Sequence, residues 1–258
     1  MATPKSSPTP DLKRAAEATE LARRVVEQGV RTLASLGGPD DQQVLAYDLA
    51  HSAAAVETAR SLTEYSSKGN TEALITCAFV ADMLQEVSAR LLGREDMWGV
   101  EKNPLADAHD FMTTFREPEF LAALAFTAGP RHLEDEFEMV QDTFRGFAAK
   151  VIAPHAEHVH RHNADVPEEI ISGLAELGAF GLSVPSEYGG FSEGGDGEYM
   201  ANCIATEELS RASLGIGGSL ITRPEILTRA LVNGGTEAQK QEWLPKLASA
   251  EVMAAVAV

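Results

Sequence analysis

The dominant spacing of apolar residues along the chain is helical. Between Asp11 and Gly37, Ala22, Val26, Val30 and Leu33 recur every three to four residues, and Gly37, Gly38 and Pro39 stop the run. Asp40 and Asp41 are placed to cap a second helix whose Leu45, Leu49, Ala53 and Val56 share a face and which ends near Gly69. A third follows at once, with Asn70 as the expected N-cap and Ile75, Phe79, Met83, Val87 and Leu91 stepping by four until Gly93. These helices predict an antiparallel bundle over residues 11–93, behind a disordered tail over residues 1–10.

The pattern then loosens. Pro104, Pro118 and Pro130 divide residues 94–131 into short helical pieces, which reads as a linker between two units. A second helical series opens at Leu133, with Phe137, Val140, Phe144 and Phe147 on one face and Pro154 bending or restarting it. Asp165, Pro167, Glu168 and Glu169 form a helix start for a segment that ends at Gly178. Tyr188, Gly189 and Gly190 mark a loop, and helices follow over 198–210 and 214–231. Thr236 with Gln239 makes a capping box for a last helix. Val252 to Val258 reads instead as a strand. A solitary strand leaves its backbone donors and acceptors unsatisfied, so the expected fold is all-α, two consecutive helical bundles, ending in the first strand of a missing β-domain.

Composition narrows the function. With 44% hydrophobic residues among 258, the chain can bury a core, but no apolar stretch approaches the roughly 20 residues of a bilayer crossing. A net charge of -18 with dispersed Lys and Arg argues against nucleic acid, while leaving room for a small anion held by one or two local cations. Cys77 and Cys203 form no CxxC pair, and the first residues carry no signal peptide, which together suggest a reducing, cytoplasmic setting.

From His132 onward the order of motifs resembles the amino-terminal helical domain of acyl-CoA dehydrogenases. The stretches concerned are Phe144 to Pro154, Pro167 to Gly181 (PEEIISGLAELGAFG), Val184 to Gly190 (VPSEYGG), Glu207 to Ser210 (EELS) and Gly234 to Leu247 (GGTEAQKQEWLPKL). The front portion, with HVHRHNADVPEEIISGLAELGAFGLSVPSEYGGF and ELSRASLGIGGSLITRPEILTRAL, is similar to the branch of that family acting on (2S)-methylsuccinyl-CoA, whose members carry an amino-terminal extension. The resemblance implies residues 132–251 as the helical domain and 252–258 as the opening of a β-domain. It implies α,β-dehydrogenation of an acyl-CoA thioester, with FAD as cofactor in the full-length protein, an electron-transferring flavoprotein as acceptor and a homo-oligomeric enzyme. The family's catalytic base and most of its flavin contacts lie in its carboxy-terminal parts, so no catalytic residue is assigned here and the isolated chain is expected to be inactive.

What the resemblance assigns to this portion is a wall of the acyl pocket, on the helix carrying Ser219, Leu220, Ile221, Thr222 and Arg223. Methylsuccinyl-CoA ends in a carboxylate, for which Arg223 offers a planar, permanently charged fork and Ser219 or Thr222 a hydroxyl. The plainer alternative pairs Arg223 with Glu225 on a solvated face, and Pro224 suggests a kink there. His155, His158 and His162, with His160 beside them, fall on one helical face, where solvated surface is expected rather than a metal site. Gly215, Gly217 and Gly218 echo a phosphate loop but follow no strand, which predicts close helix packing. Trp98 and Trp243 receive no role. A functional alternative of another class is a short, non-catalytic helical module that binds an acyl-CoA or a protein partner.

Overall fold

The computed structural model describes residues 8–127 and 129–255, and the chain divides into two compact units at His132/Leu133.

In the front unit, α1 (Leu12–Ser35) is capped by Asp11, whose carboxylate accepts from the Arg14 amide at 3.0 Å. Its buried stripe is Ala15, Ala18, Ala22, Val25, Val26 and Leu33, whereas Val30 is 49% exposed. Gly29 takes that turn of the stripe instead, because a Cβ there would lie 3.0 Å from the Trp98 ring and closer still to Leu49. After Gly37 and Gly38, both at positive φ, α2 (Gln43–Tyr65) begins at Gln42 with no side-chain cap, so Asp40 and Asp41 do not perform the expected capping. The third helix, α3 (Asn70–Leu91), is preceded by Gly69 as N-cap, which makes Asn70 its first residue rather than its cap. Short turns return each helix along its predecessor. Asp48 near the start of α2 accordingly meets Arg90 and Arg94 at the end of α3, at 3.2 and 2.7 Å.

Residues 94–131 are not a linker. Through α4 (Glu95–Trp98), α5 (His109–Phe115) and α6 (Pro118–Ala125) they deliver Trp98, Leu105, Ala108, Phe111, Phe115 and Phe120 into the same core as α1–α3. The prolines punctuate without detaching: Pro118 opens α6 at a position that needs no backbone N–H. Phe111, Phe115 and Phe120 form a chain of tilted and edge-on rings with centroids 4.7 and 5.8 Å apart.

The second unit is also helical. It comprises α7 (Asp135–Phe147), a π-helical turn (Ala148–Ile152), α8 (Ala153–His162) with Pro154 in its first turn, and α9 (Glu168–Glu176). Then come α10 (Asp196–Ala212), a second π-helical turn (Leu214–Gly218), α11 (Ser219–Gly234) and α12 (Glu237–Ala248). Gly178, at φ +73°, follows the end of α9 in the left-handed conformation that glycine adopts without strain. The Thr236–Gln239 capping box of α12 is present in both directions. The core joins Phe144, Ile152, Ile170, Leu174, Phe180, Leu209, Ile216 and Ile221, with Val184, Leu244 and Leu247 packed as a smaller cluster.

The expected terminal strand does not form where the chain is described. Residues 252–255 carry no strand, the Val252 amide bonds to the Lys246 carbonyl at 3.2 Å, and Ala254 packs on the smaller cluster. Residues 256–258 of that expectation lie outside the described residues.

Candidate functional site

The helix singled out from the sequence is set in place by the turn before it. Ser213 accepts a hydrogen bond from the Ile216 amide at 3.3 Å and caps the π-helical turn Leu214–Gly218. Gly217 and Gly218 are buried in this turn. A Cβ on Gly217 would sit 2.7 Å from the Leu209 carbonyl oxygen of α10, and one on Gly218 would collide with the Ser210 hydroxyl. The glycines therefore let two backbones approach, as the missing strand context predicts, and leave no cradle for a phosphate.

Five consecutive residues cannot share one helical face, and α11 divides them. Ile221 is buried in the core and Leu220 packs partly against it. Ser219, Thr222 and Arg223 lie on the outward side with Ile226, which is 52% exposed. The Thr222 hydroxyl donates to the Ser219 carbonyl at 3.2 Å, the usual satisfaction of a hydroxyl inside a helix. Pro224 stands in the middle of α11, buried, and removes one backbone donor from it.

Arg223 does not pair with Glu225. That carboxylate is taken by Arg229 one turn on, at 2.8 Å, and Arg229 also holds Glu198 at 2.7 Å and lies 4.5 Å over the Tyr199 ring. The Glu225 hydrogen bond, with Glu198 and Tyr199 adding to it, raises the Arg229 pKa. Ser192 closes the network by donating to Glu198. Arg223 makes no hydrogen bond or ion pair among the described residues. The result is one satisfied arginine, Arg229, and one open cation, Arg223, six residues apart on the same helix.

Beside this network a cleft of about 460 Å³ is lined by Ser183, Ser186, Glu187, Glu193, Glu198 and Arg229. Three carboxylates against one already paired guanidinium make it a poor site for phosphate. A flavin dinucleotide therefore does not fit the residues present: the cleft is acidic, and the glycine turn is filled by the chain's own backbone.

Sequence reasoning missed the most deeply buried charge of the unit. Glu208, 1% exposed, accepts from Arg145 of α7 at 3.1 and 2.8 Å, with Arg211 at 3.3 Å. Its spacing from Ile204, Ala205 and Leu209 puts it on the buried stripe of α10, a signal readable in the sequence. The Arg145 bond, and then the charges of Arg145 and Arg211, hold its carboxyl below the usual carboxylate range.

Of the histidines of α8, His155 bonds Glu169 at 2.7 Å, His158 and His162 pack with tilted rings 4.7 Å apart, and no grouping of three or more metal-ligating side chains occurs among the described residues. Trp98 is fully buried in the front unit and Trp243 lies 38% exposed beneath Lys246 in the second.

Residues 134–251, nearly the whole second unit, match the model of the acyl-CoA dehydrogenase N-terminal domain. This part of the chain is similar to that family's domain. The (2S)-methylsuccinyl-CoA dehydrogenase of Cereibacter sphaeroides is 46% identical over 127 residues, which cover 49% of this chain and 22% of the relative. The mitochondrial isovaleryl-CoA dehydrogenase of Solanum tuberosum is 37% identical over 48% of this chain and 30% of its own length. The glutaryl-CoA dehydrogenase of Desulfococcus multivorans is 36% identical over 47% and 31%. The matched stretch spans less than a third of each of these relatives. The second unit is thus similar to the amino-terminal domain of acyl-CoA dehydrogenases, and α11 with its outward Arg223 lies within the matched stretch. No helix of the described residues is long and apolar enough to cross a membrane.

Proposed function

We propose that the chain is the amino-terminal part of a cytoplasmic, FAD-dependent acyl-CoA dehydrogenase that converts (2S)-methylsuccinyl-CoA to mesaconyl-CoA in the ethylmalonyl-CoA pathway. The match over residues 134–251 and the Cereibacter relative support the reaction class and the substrate. The reaction removes a proton from Cα and a hydride from Cβ of the thioester. The residues present do not fit the flavin, so no step is assigned to them beyond substrate recognition. An electron-transferring flavoprotein as acceptor and a homo-oligomeric enzyme belong to the same reading.

The observation that carries the substrate assignment is the open charge of Arg223. A solvated or substrate-filled pocket wall that presents an unpaired guanidinium beside Ser219 and Thr222 is complementary to a second carboxylate and indifferent to an alkyl chain. In the whole enzyme, Arg223→Ala should raise KM for methylsuccinyl-CoA on the order of tenfold or more while leaving KM for butyryl-CoA within about twofold. Dye-coupled oxidation of both thioesters reads the difference. Equal effects on the two, or oxidation of neither by the unaltered enzyme, would sink the reading.

One observation favours a second reading, a non-catalytic module that binds an acyl-CoA. The front unit has a cavity of about 720 Å³ whose apolar wall includes Leu91, Leu92, Leu105 and Met112. Equilibrium dialysis of the 258-residue chain against acyl-CoA thioesters separates the two, since binding without turnover in the whole protein favours the module.

A further inference from the structure

Helix α3 ends in a turn that leaves an apolar side chain in solvent. Leu92, its C-cap, is 77% exposed, and Gly93 follows at φ +78°, the left-handed conformation that turns the chain toward α4. Past α4 the chain returns beside the end of α3, where Asn103 turns at φ +56° and Leu105 drops into the core. Between these two runs lies the front unit's cavity of about 720 Å³. That volume falls in the range of roughly 300–1,000 Å³ typical of small-molecule sites. Leu91 and Leu105, both buried, and the half-buried Met112 give it an apolar wall. Leu92 lines it as well, so its exposed side chain is surface that a ligand would cover.

The polar part of the lining is unengaged. Gln85, Ser88, Asn103 and His109 make no side-chain hydrogen bond among the described residues. Glu95, half-buried at the start of α4, is the one Asp, Glu, Lys or Arg of the lining, and it makes no ion pair among them. The nearby cations are committed or face elsewhere. Arg90 and Arg94 hold Asp48, Arg116 holds Asp82 at 2.8 Å, and Lys102 lines a separate cleft beside α1.

We propose that this cavity binds a small aliphatic amine, with the alkyl chain on Leu91, Leu105 and Met112 and the ammonium at Glu95. The wall rewards any aliphatic chain, so the head group decides the ligand. An ammonium finds a carboxylate that no cation of the chain has claimed, whereas a carboxylate or phosphate head meets that same charge in a protein of net charge -18. Coenzyme A brings several phosphate charges and finds no lysine or arginine on this wall. The inference therefore goes beyond an acyl-CoA-binding module, from which it differs in the head group required. The cavity lies wholly in the front unit, outside residues 134–251, so the outcome here is independent of the dehydrogenase reading.

The intact chain, carrying ¹³C at its methionine methyl groups, is titrated with octylamine, 1-octanol, octanoate and octanoyl-CoA at about pH 8, where an alkylammonium is charged. The Met112 methyl, assigned through Met112→Leu, reports occupancy of the cavity. Octylamine should shift it saturably and bind on the order of fivefold or more tightly than octanoate, with 1-octanol between them. Glu95→Gln should bring octylamine to within about twofold of 1-octanol while leaving 1-octanol binding in place. Ala89→Trp, at an exposed position of the lining, should abolish the shifts by filling the space. Ala106→Trp, also exposed, is the second block should the first disturb the far-ultraviolet circular dichroism spectrum. No saturable shift with octylamine, or binding that survives both tryptophans, overturns the site. An amine preference that persists in Glu95→Gln, or octanoate binding as tightly as octylamine, overturns the assignment of the head group. Octanoyl-CoA binding more tightly than octylamine also overturns it, and returns the cavity to the acyl-CoA module.

Discussion

Arg145 of α7 donates two hydrogen bonds to Glu208 of α10, and the carboxylate they hold is all but sealed from solvent. The geometry is the fork-to-carboxylate pairing in which guanidinium is hardest to replace. Arg145→Ala should cost about 2–4 kcal/mol, because it leaves a buried charge with only the more exposed Arg211 beside it. Arg145→Lys should recover only part of the loss. Urea unfolding followed at α7–α10 measures both, and a change below about 0.5 kcal/mol would mean that solvent reaches the carboxylate.

The same pair fixes the acid limb of stability. Glu208 has its carboxyl lowered in the folded unit, so its contribution is present above the ordinary carboxylate pKa and is lost as pH falls through the lowered value. Stability of the second unit should fall as the pH drops below about 4.5, and Glu208→Gln should flatten that fall while lowering stability at neutral pH. An unchanged slope would assign the acid sensitivity to other carboxylates.

Each unit carries one tryptophan: Trp98 is sealed in the front core against Gly29 and Leu49, and Trp243 is part-exposed on α12. With Trp243→Phe, the remaining fluorescence reports the front unit alone. Trp98→Ala should destabilise that unit by about 3–5 kcal/mol through the cavity left beside Gly29, without moving the transition of the second unit. A shift in both transitions would show that the units unfold as one.

The sequence made much of this architecture legible, and its failures have physical causes. Helical period located α1–α3 and most of the second unit, because each helix buries one stripe and the period survives local irregularity. The reading of residues 94–131 as a linker failed because proline spacing was taken as a sign of detachment, whereas Trp98, Phe111, Phe115 and Phe120 spend the short helices' apolar faces on the shared core. Gln42 and Gly69 displaced the expected caps, since capping depends on backbone geometry that residue type alone does not set. Arg223 was legible as a cation of this helix, but its freedom was not: that depends on Arg229 claiming Glu225, a choice between two arginines at different helical offsets that is made only in three dimensions.

The π-helical turn ahead of α11 gives the last prediction, because it decides which face of that helix turns outward. Gly215, with nothing within 4 Å of its Cβ position, faces open space, whereas Gly217 faces the Leu209 carbonyl at 2.7 Å. The two glycines sit in one turn and differ in what a methyl group would meet, so they separate backbone crowding from glycine's intrinsic flexibility. Gly217→Ala should cost about 1–3 kcal/mol by forcing α10 and α11 apart, while Gly215→Ala should change stability by less than about 1 kcal/mol. Since Arg223 follows the turn by five residues, Gly217→Ala should also raise KM for methylsuccinyl-CoA in the whole enzyme, whereas Gly215→Ala should not. Thermal unfolding of both variants with the paired KM measurement checks this. Equal stability losses at the two glycines would mean that the turn, rather than its contact with α10, is what those residues protect.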